Sequence, residues 1–129
     1  MAVHSERVVN PGSNHSPLEF SALIHECDVL LCGDTLALHI ASALSVPSVA
    51  LFGPTSSSEI HDYDGLIEKI SWNALDCLCC YGDCRTGDDC MSLIPVDEIV
   101  NRIEEHREKT SRVVRVSGSS GEPTGTPPP

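Results

Sequence analysis

The chain has 129 residues, 8 Lys and Arg against 19 Asp and Glu, and a formal net charge of −11. That balance disfavours a nucleic-acid groove or an anionic membrane surface as partner, because both recruit basic faces. No stretch approaches the roughly 18 apolar residues that span a bilayer, and the first residues lack the charged-then-apolar pattern of a secretory signal, so a cytoplasmic location is expected. Seven cysteines in such a reducing compartment read as free thiols or metal ligands rather than disulfides.

Taken in chain order, Arg7 to Asn10 is a short strand candidate followed by a Pro-Gly-Ser-Asn turn. Ser16-Pro17-Leu18-Glu19 is a capping box with proline at the first helical position, which predicts a helix from Pro17 to about Glu26. Val29 to Cys32 is an apolar run closed by Gly33, Thr35 to Leu44 has helical spacing, and Pro47 to Phe52 is apolar and partly β-branched. These predict two buried parallel strands joined by a crossover helix, hence an α/β fold. The polar run Ser56 to Asp64 reads as a loop and Leu66 to Ser71 as a further strand. Val96, Ile99, Val100 and Ile103 mark a last amphipathic helix from about Pro95 to His106. Residues 1–108 form one unit, with about 105 residues for a core, and 109–129 a disordered tail rich in Ser, Gly, Thr and Pro.

The junction after Val29–Cys32 carries the chemistry. Asp34 and Thr35 sit where the chain leaves the sheet at its carboxyl end, and the first turn of the next helix offers backbone N–H groups without intrahelical partners. Ligands of open α/β sheets collect in that crevice, where Gly53, Pro54 and Thr55 also emerge from the second strand. Thr35, His39 and Ser42 follow i, i+4, i+7 spacing and share one polar helix face. A plainer reading remains beside this one: Asp34 or Thr35 as a helix cap and His39 as a packed residue. The chain has neither G-x-G-x-x-G nor a P-loop lysine, and the basic residues outside the tail are Arg7, Lys69, Arg85, Arg102 and Arg107. Anion binding would therefore rest on backbone amides.

The loop 77–90 holds a second candidate site. Cys77, Cys80, Cys84 and Cys90 have spacings x2, x3 and x5, with Cys79 as an additional thiol. Four thiolates in one loop suit tetrahedral zinc or an iron–sulfur cluster, and the alternative is a set of thiols that pack the loop or oxidise. Cys27 and Cys32 read as core residues.

The string GDTLALHIASALSVPSVALFGPT and the later CLCCYGDCRTGDDCMSLIPVDEIV resemble the carboxyl-terminal part of family 9 glycosyltransferases, the ADP-heptose:lipopolysaccharide heptosyltransferase family. The resemblance runs from about Arg7 to about Glu105. It implies the carboxyl-terminal, Rossmann-like half of a two-domain GT-B fold, which binds a nucleotide sugar. The family's Asp-Thr-Gly-x-x-His motif falls on Asp34, Thr35, Leu36 and His39, with Leu36 where the motif commonly has Gly. The resemblance implies that Asp34 faces the donor sugar, that the Thr35 and Leu36 amides meet its diphosphate, and that His39 lines the pocket. It further implies that Gly53, Pro54 and Thr55 of the FGPT turn, Phe52 to Thr55, form the neighbouring wall.

The resemblance also implies an ADP-sugar donor, a lipopolysaccharide core-type acceptor and inverting transfer. It places the catalytic base in an amino-terminal acceptor domain that this chain does not match. Six parallel strands in the order 3-2-1-4-5-6 are implied for the second domain, and the chain begins at the third of them. The expectation is therefore a truncated domain with a gap in mid-sheet, inactive alone, in which Val8 and Val9 have lost their strand neighbour. A small metal-binding or redox module built on the cysteine loop is the alternative.

Overall fold

The computed structural model describes residues 8–72, 74–75, 77–82, 84 and 89–117, the side chains of 110–117 excepted. Three helices flank one parallel sheet. In chain order the elements are α1 (Pro17–His25), β1 (Leu30–Gly33), α2 (Leu36–Ala43), β2 (Ser48–Phe52), a 3-10 turn (Ser57–Glu59), β3 (Ile67–Ser71) and α3 (Val96–Ser117).

The capping box forms as the sequence predicts. Ser16 Oγ accepts from the Glu19 amide at 3.3 Å, and the Ser16 amide donates to the Glu19 carboxylate at 2.8 Å. The bond from the Ser16 backbone, then that from its hydroxyl, holds the Glu19 carboxyl below its ordinary value of 4.5. A depressed carboxyl pKa contributes stability that is complete above the unfolded value and is lost as pH falls through the lowered folded value. Ser16→Ala is expected to cost about 1 kcal/mol in denaturant unfolding at neutral pH. Glu19→Gln should flatten the acid limb of the stability profile below pH 4.5; an unchanged acid limb would remove the box from the account.

The sheet has the order β1-β2-β3, with both pairs parallel. Gly33 lies opposite Leu51, and Phe52 opposite Ser71. Alternation along β2 sends Ala50 and Phe52 to one face, where they meet Leu38 of α2 and Ile67 of β3. Val49 points to the other face, against Ile70, Ile94 and the Ile99 and Ile103 side chains of α3. α1 covers α2 from outside through Ile24, Phe20, Ala41 and Val46. β2 is thus covered on both faces and paired along both edges, which accounts for its nearly continuous apolar sequence.

α2 ends in a Schellman turn. The Val46 amide donates to Ala41 O at 2.8 Å and the Ser45 amide to Ser42 O at 3.2 Å, with Ser45 in the left-handed region at φ 57°. Val46 is thereby buried and the chain is delivered to Pro47 and β2. On the opposite side of the sheet, α3 is fastened by Arg102, 2.8 Å from Glu68, and by the buried His106, whose Nε2 lies 2.9 Å from Leu66 O.

Four expectations are corrected. Residues 8–10 are not a strand: Val8 and Val9 are 62% and 85% exposed, because a run this short has no stability without a ladder partner. The described sheet is also contiguous, so it has no gap between its strands. Cys27 is not a core residue; it follows the carboxyl end of α1, is exposed, and its thiol donates to Leu23 O at 3.5 Å. α3 continues through Ser117, past the predicted end at His106 and into the segment expected as tail, because nothing between Glu104 and Ser117 is a Gly or Pro. Residues 118–129 lie outside the described residues.

Candidate functional site

The carboxyl ends of β1 and β2 leave the sheet side by side, at the roughly 4.8 Å spacing of paired strands. Asp34 to Leu36 exit from one and Gly53 to Thr55 from the other. Thr35 occupies the cap position of α2 with extended backbone (φ −141°, ψ 171°), yet its side chain makes no capping bond. The cap reading of Thr35 therefore holds for position and fails for chemistry, and no side chain of this residue competes for the amides of the first turn. Leu36 is 67% exposed and His39 exposed, so neither is consumed by the core. Ser42, the third member of the polar face, donates its hydroxyl to Leu38 O at 2.8 Å within the helix.

Asp34 is close enough to Cys32 to act on it: burial first, and the Asp34 charge second, raise the Cys32 thiol above its ordinary value. Lys69 and Arg102 are already engaged by protein groups. Lys69 Nζ donates to Ser57 O at 2.9 Å and to Ile60 O, pinning the loop after the 3-10 turn, while Arg102 is paired with Glu68 and Glu98. Arg7 and Arg85 lie outside the described residues. An anion at this end of the sheet would meet helix amides rather than these side chains.

Two cavities adjoin the β2 exit. One of about 140 Å³ is lined by Gly53 and Thr55 together with Phe52, Ser57, Ser71 and Cys79. The other, of about 310 Å³, is lined by Pro54, Cys77, Cys80, Cys84, Asp89 and Cys90. Asp34, Thr35, Leu36 and His39 line neither. The structure thus brings Gly53 and Thr55 to the lining of one cavity and Pro54 to that of the other. It adds Ser57 and Ser71, which the reading of the sequence did not select. Ser71 was detectable as the last residue of a parallel strand, whereas Ser57 arrives through the 3-10 turn and has no such signal.

The cysteine loop is stitched to the turn. The Cys79 amide donates to Gly53 O at 3.0 Å and the Tyr81 amide to Pro54 O at 2.8 Å. The Tyr81 hydroxyl donates to Glu59 at 2.5 Å, and this bond raises the phenol above its ordinary value. Burial, then the charges of Asp89 and Cys80, raise the Cys90 thiol. Cys77, Cys80, Cys84 and Cys90 share the lining of one cavity, and among the described residues no three His, Cys, Asp or Glu side chains are grouped to hold a metal ion.

A parallel α/β unit with helices on both faces, an open helix terminus and a glycine turn at the carboxyl end of its sheet has the form of a ligand-binding α/β domain. Residues 16–87 match the family model of glycosyltransferase family 9 (heptosyltransferase). This is more than half of the chain, and the protein belongs to that glycosyltransferase family. No curated protein and no solved structure matches it. Among the described residues, no helix is long and apolar enough to cross a membrane.

Proposed function

We propose that this chain binds the nucleotide-sugar donor of a family 9 glycosyltransferase at the carboxyl end of its sheet. Asp34, Thr35, Leu36 and His39 form one side of the site, and Gly53, Pro54 and Thr55 the other. The observation that carries the reading is the bare start of α2: an extended Thr35 whose side chain does not cap the helix, beside a buried glycine turn on the neighbouring strand. The first-turn amides donate to the diphosphate oxygens, and the Asp34 carboxylate accepts from hydroxyls of the sugar.

In glycosyl transfer the anomeric carbon loses its bond to the diphosphate as an acceptor hydroxyl attacks. Charge grows on the departing phosphate. Amides fixed at a helix start stabilise that charge without reorganising, which is the contribution this chain makes to the reaction. The net charge of −11 gives no long-range attraction for such a ligand, so affinity rests on short-range hydrogen bonds. ADP-heptose as donor, a lipopolysaccharide core-type acceptor and an acceptor-binding domain supplying the base complete the proposal.

Titrating ADP into the isotope-labelled, reduced chain tests the donor site by two-dimensional amide NMR. The expected result is a set of shifts at 33–39 and at Phe52, Gly53 and Thr55. Dispersed spectra that ADP leaves unchanged, or shifts confined to α3, would overturn the assignment.

A further inference from the structure

The sulfur of Cys90 packs directly on the donor turn. A Cβ built on Gly53 would lie 2.5 Å from Cys90 Sγ, so the thiol occupies the room that a side chain would take. Cys80 is tied to the same turn through its neighbours. It lies between Cys79 and Tyr81, the two residues whose amides hold Gly53 O and Pro54 O. Both neighbours are in the left-handed region, at φ 64° and 52°, a conformation that bulky residues keep only when surrounding bonds enforce it. Cys80 and Cys90 also line the same cavity, with Pro54 as another wall. Two thiols in one cavity are thus each attached to the turn, one by packing and one through its neighbours' hydrogen bonds.

We propose that a disulfide between Cys80 and Cys90 switches the donor turn, forming by exchange with a small-molecule disulfide such as glutathione disulfide. The inference rests on the donor-site reading for its functional consequence and on the turn contacts for its structural one. In the exchange the two cysteines give up two protons and two electrons as their S–S bond forms. The S–S bond of glutathione disulfide breaks and leaves as two glutathione thiols. The new bond brings the sulfurs to about 2.05 Å and the Cβ atoms to about 3.8 Å. Cys90 Sγ must then leave its seat on Gly53. Drawing Cys80 across the cavity lets Cys79 and Tyr81 leave the left-handed region, which releases the Gly53 and Pro54 carbonyls. The oxidised form has a displaced turn and weaker nucleotide binding.

The full-length reduced chain, held with a chelator, is treated with glutathione disulfide. Peptide mass spectrometry then reads the bond, amide NMR reads the turn, and calorimetry reads ADP binding. The expected results are a Cys80–Cys90 linkage, shifted Gly53 and Thr55 amides, and ADP binding weakened by about tenfold or more and restored by dithiothreitol. Cys80→Ser and Cys90→Ser should each abolish the response. A different pairing, or the Cys80–Cys90 linkage with Gly53 and Thr55 amides unmoved, overturns the proposal. The amide readout needs no nucleotide. If the reduced chain binds no ADP, the donor reading fails by itself, and the switch is still decided by Gly53 and Thr55.

Discussion

Phe52→Ala is expected to lower the urea midpoint of the chain sharply, removing a large share of its stability. Phe52 is the largest fully buried side chain among the described residues and the last residue of the central strand, and it packs with Leu38, Ala50 and Ile67 under Ile60 and Cys32. Truncating a buried phenylalanine costs about 3–5 kcal/mol through lost transfer energy and the cavity left behind. A domain of this size has a total stability of only about 5–15 kcal/mol, and the loss falls where α2, β2 and β3 meet. Urea denaturation followed by far-ultraviolet circular dichroism would read the change. Phe52→Leu, which keeps much of the volume, should remain folded with a lowered midpoint. An unchanged midpoint for Phe52→Ala would show that the α2 face of the sheet is not packed as described.

Gly53→Ala is the second large effect, and its cause is different. No left-handed backbone is involved; the requirement for glycine is steric. The added Cβ meets Cys90 Sγ at 2.5 Å and Met91 Sδ at 2.9 Å. Met91 has rotatable bonds with which to yield, whereas the Cys90 sulfur sits one bond from its own Cβ. Overpacking of this kind costs roughly 1–3 kcal/mol and should push the 89–91 segment away from the turn. Adding Cys90→Ala removes the closer contact, so the double variant should recover most of the loss. A thermodynamic cycle in denaturant measures the coupling. Additive effects of the two substitutions would mean that Cys90 and the turn are not in contact in solution.

Much of the architecture was legible because local signals and burial agree. The capping box and Pro17 fix the start of α1, and the apolar runs around Gly33 and Phe52 define β1 and β2 within a residue or two of their observed ends. Leu66–Ser71 was read one residue long, against an observed start at Ile67. What failed depended on partners. Val8 and Val9 have the residue types of a strand but no strand to pair with in the described sheet, and propensity cannot supply one. The end of α3 was placed too early because the apolar spacing that marked it stops at Ile103, although the residues from there to Ser117 include no Gly or Pro to break a helix. The bonds from Cys79 and Tyr81 to the turn depend on contacts across some 25 residues. No local pattern encodes them.

The strands lie in the sheet in the order in which they occur in the chain. Each pairing therefore joins consecutive strands, the segments that must close are short, and their entropic cost grows only slowly with length. As synthesis proceeds, β1, α2 and β2 can assemble into a βαβ unit before β3 is made, and β3 can join before the cysteine loop exists. The Gly53 turn is accordingly delivered after Asp34 to His39, and it is the last of the candidate ligand contacts to be fixed. Its final shape waits for Cys79, Tyr81 and Cys90, so assembly runs from the amino terminus while completion of the site comes back from the carboxyl side.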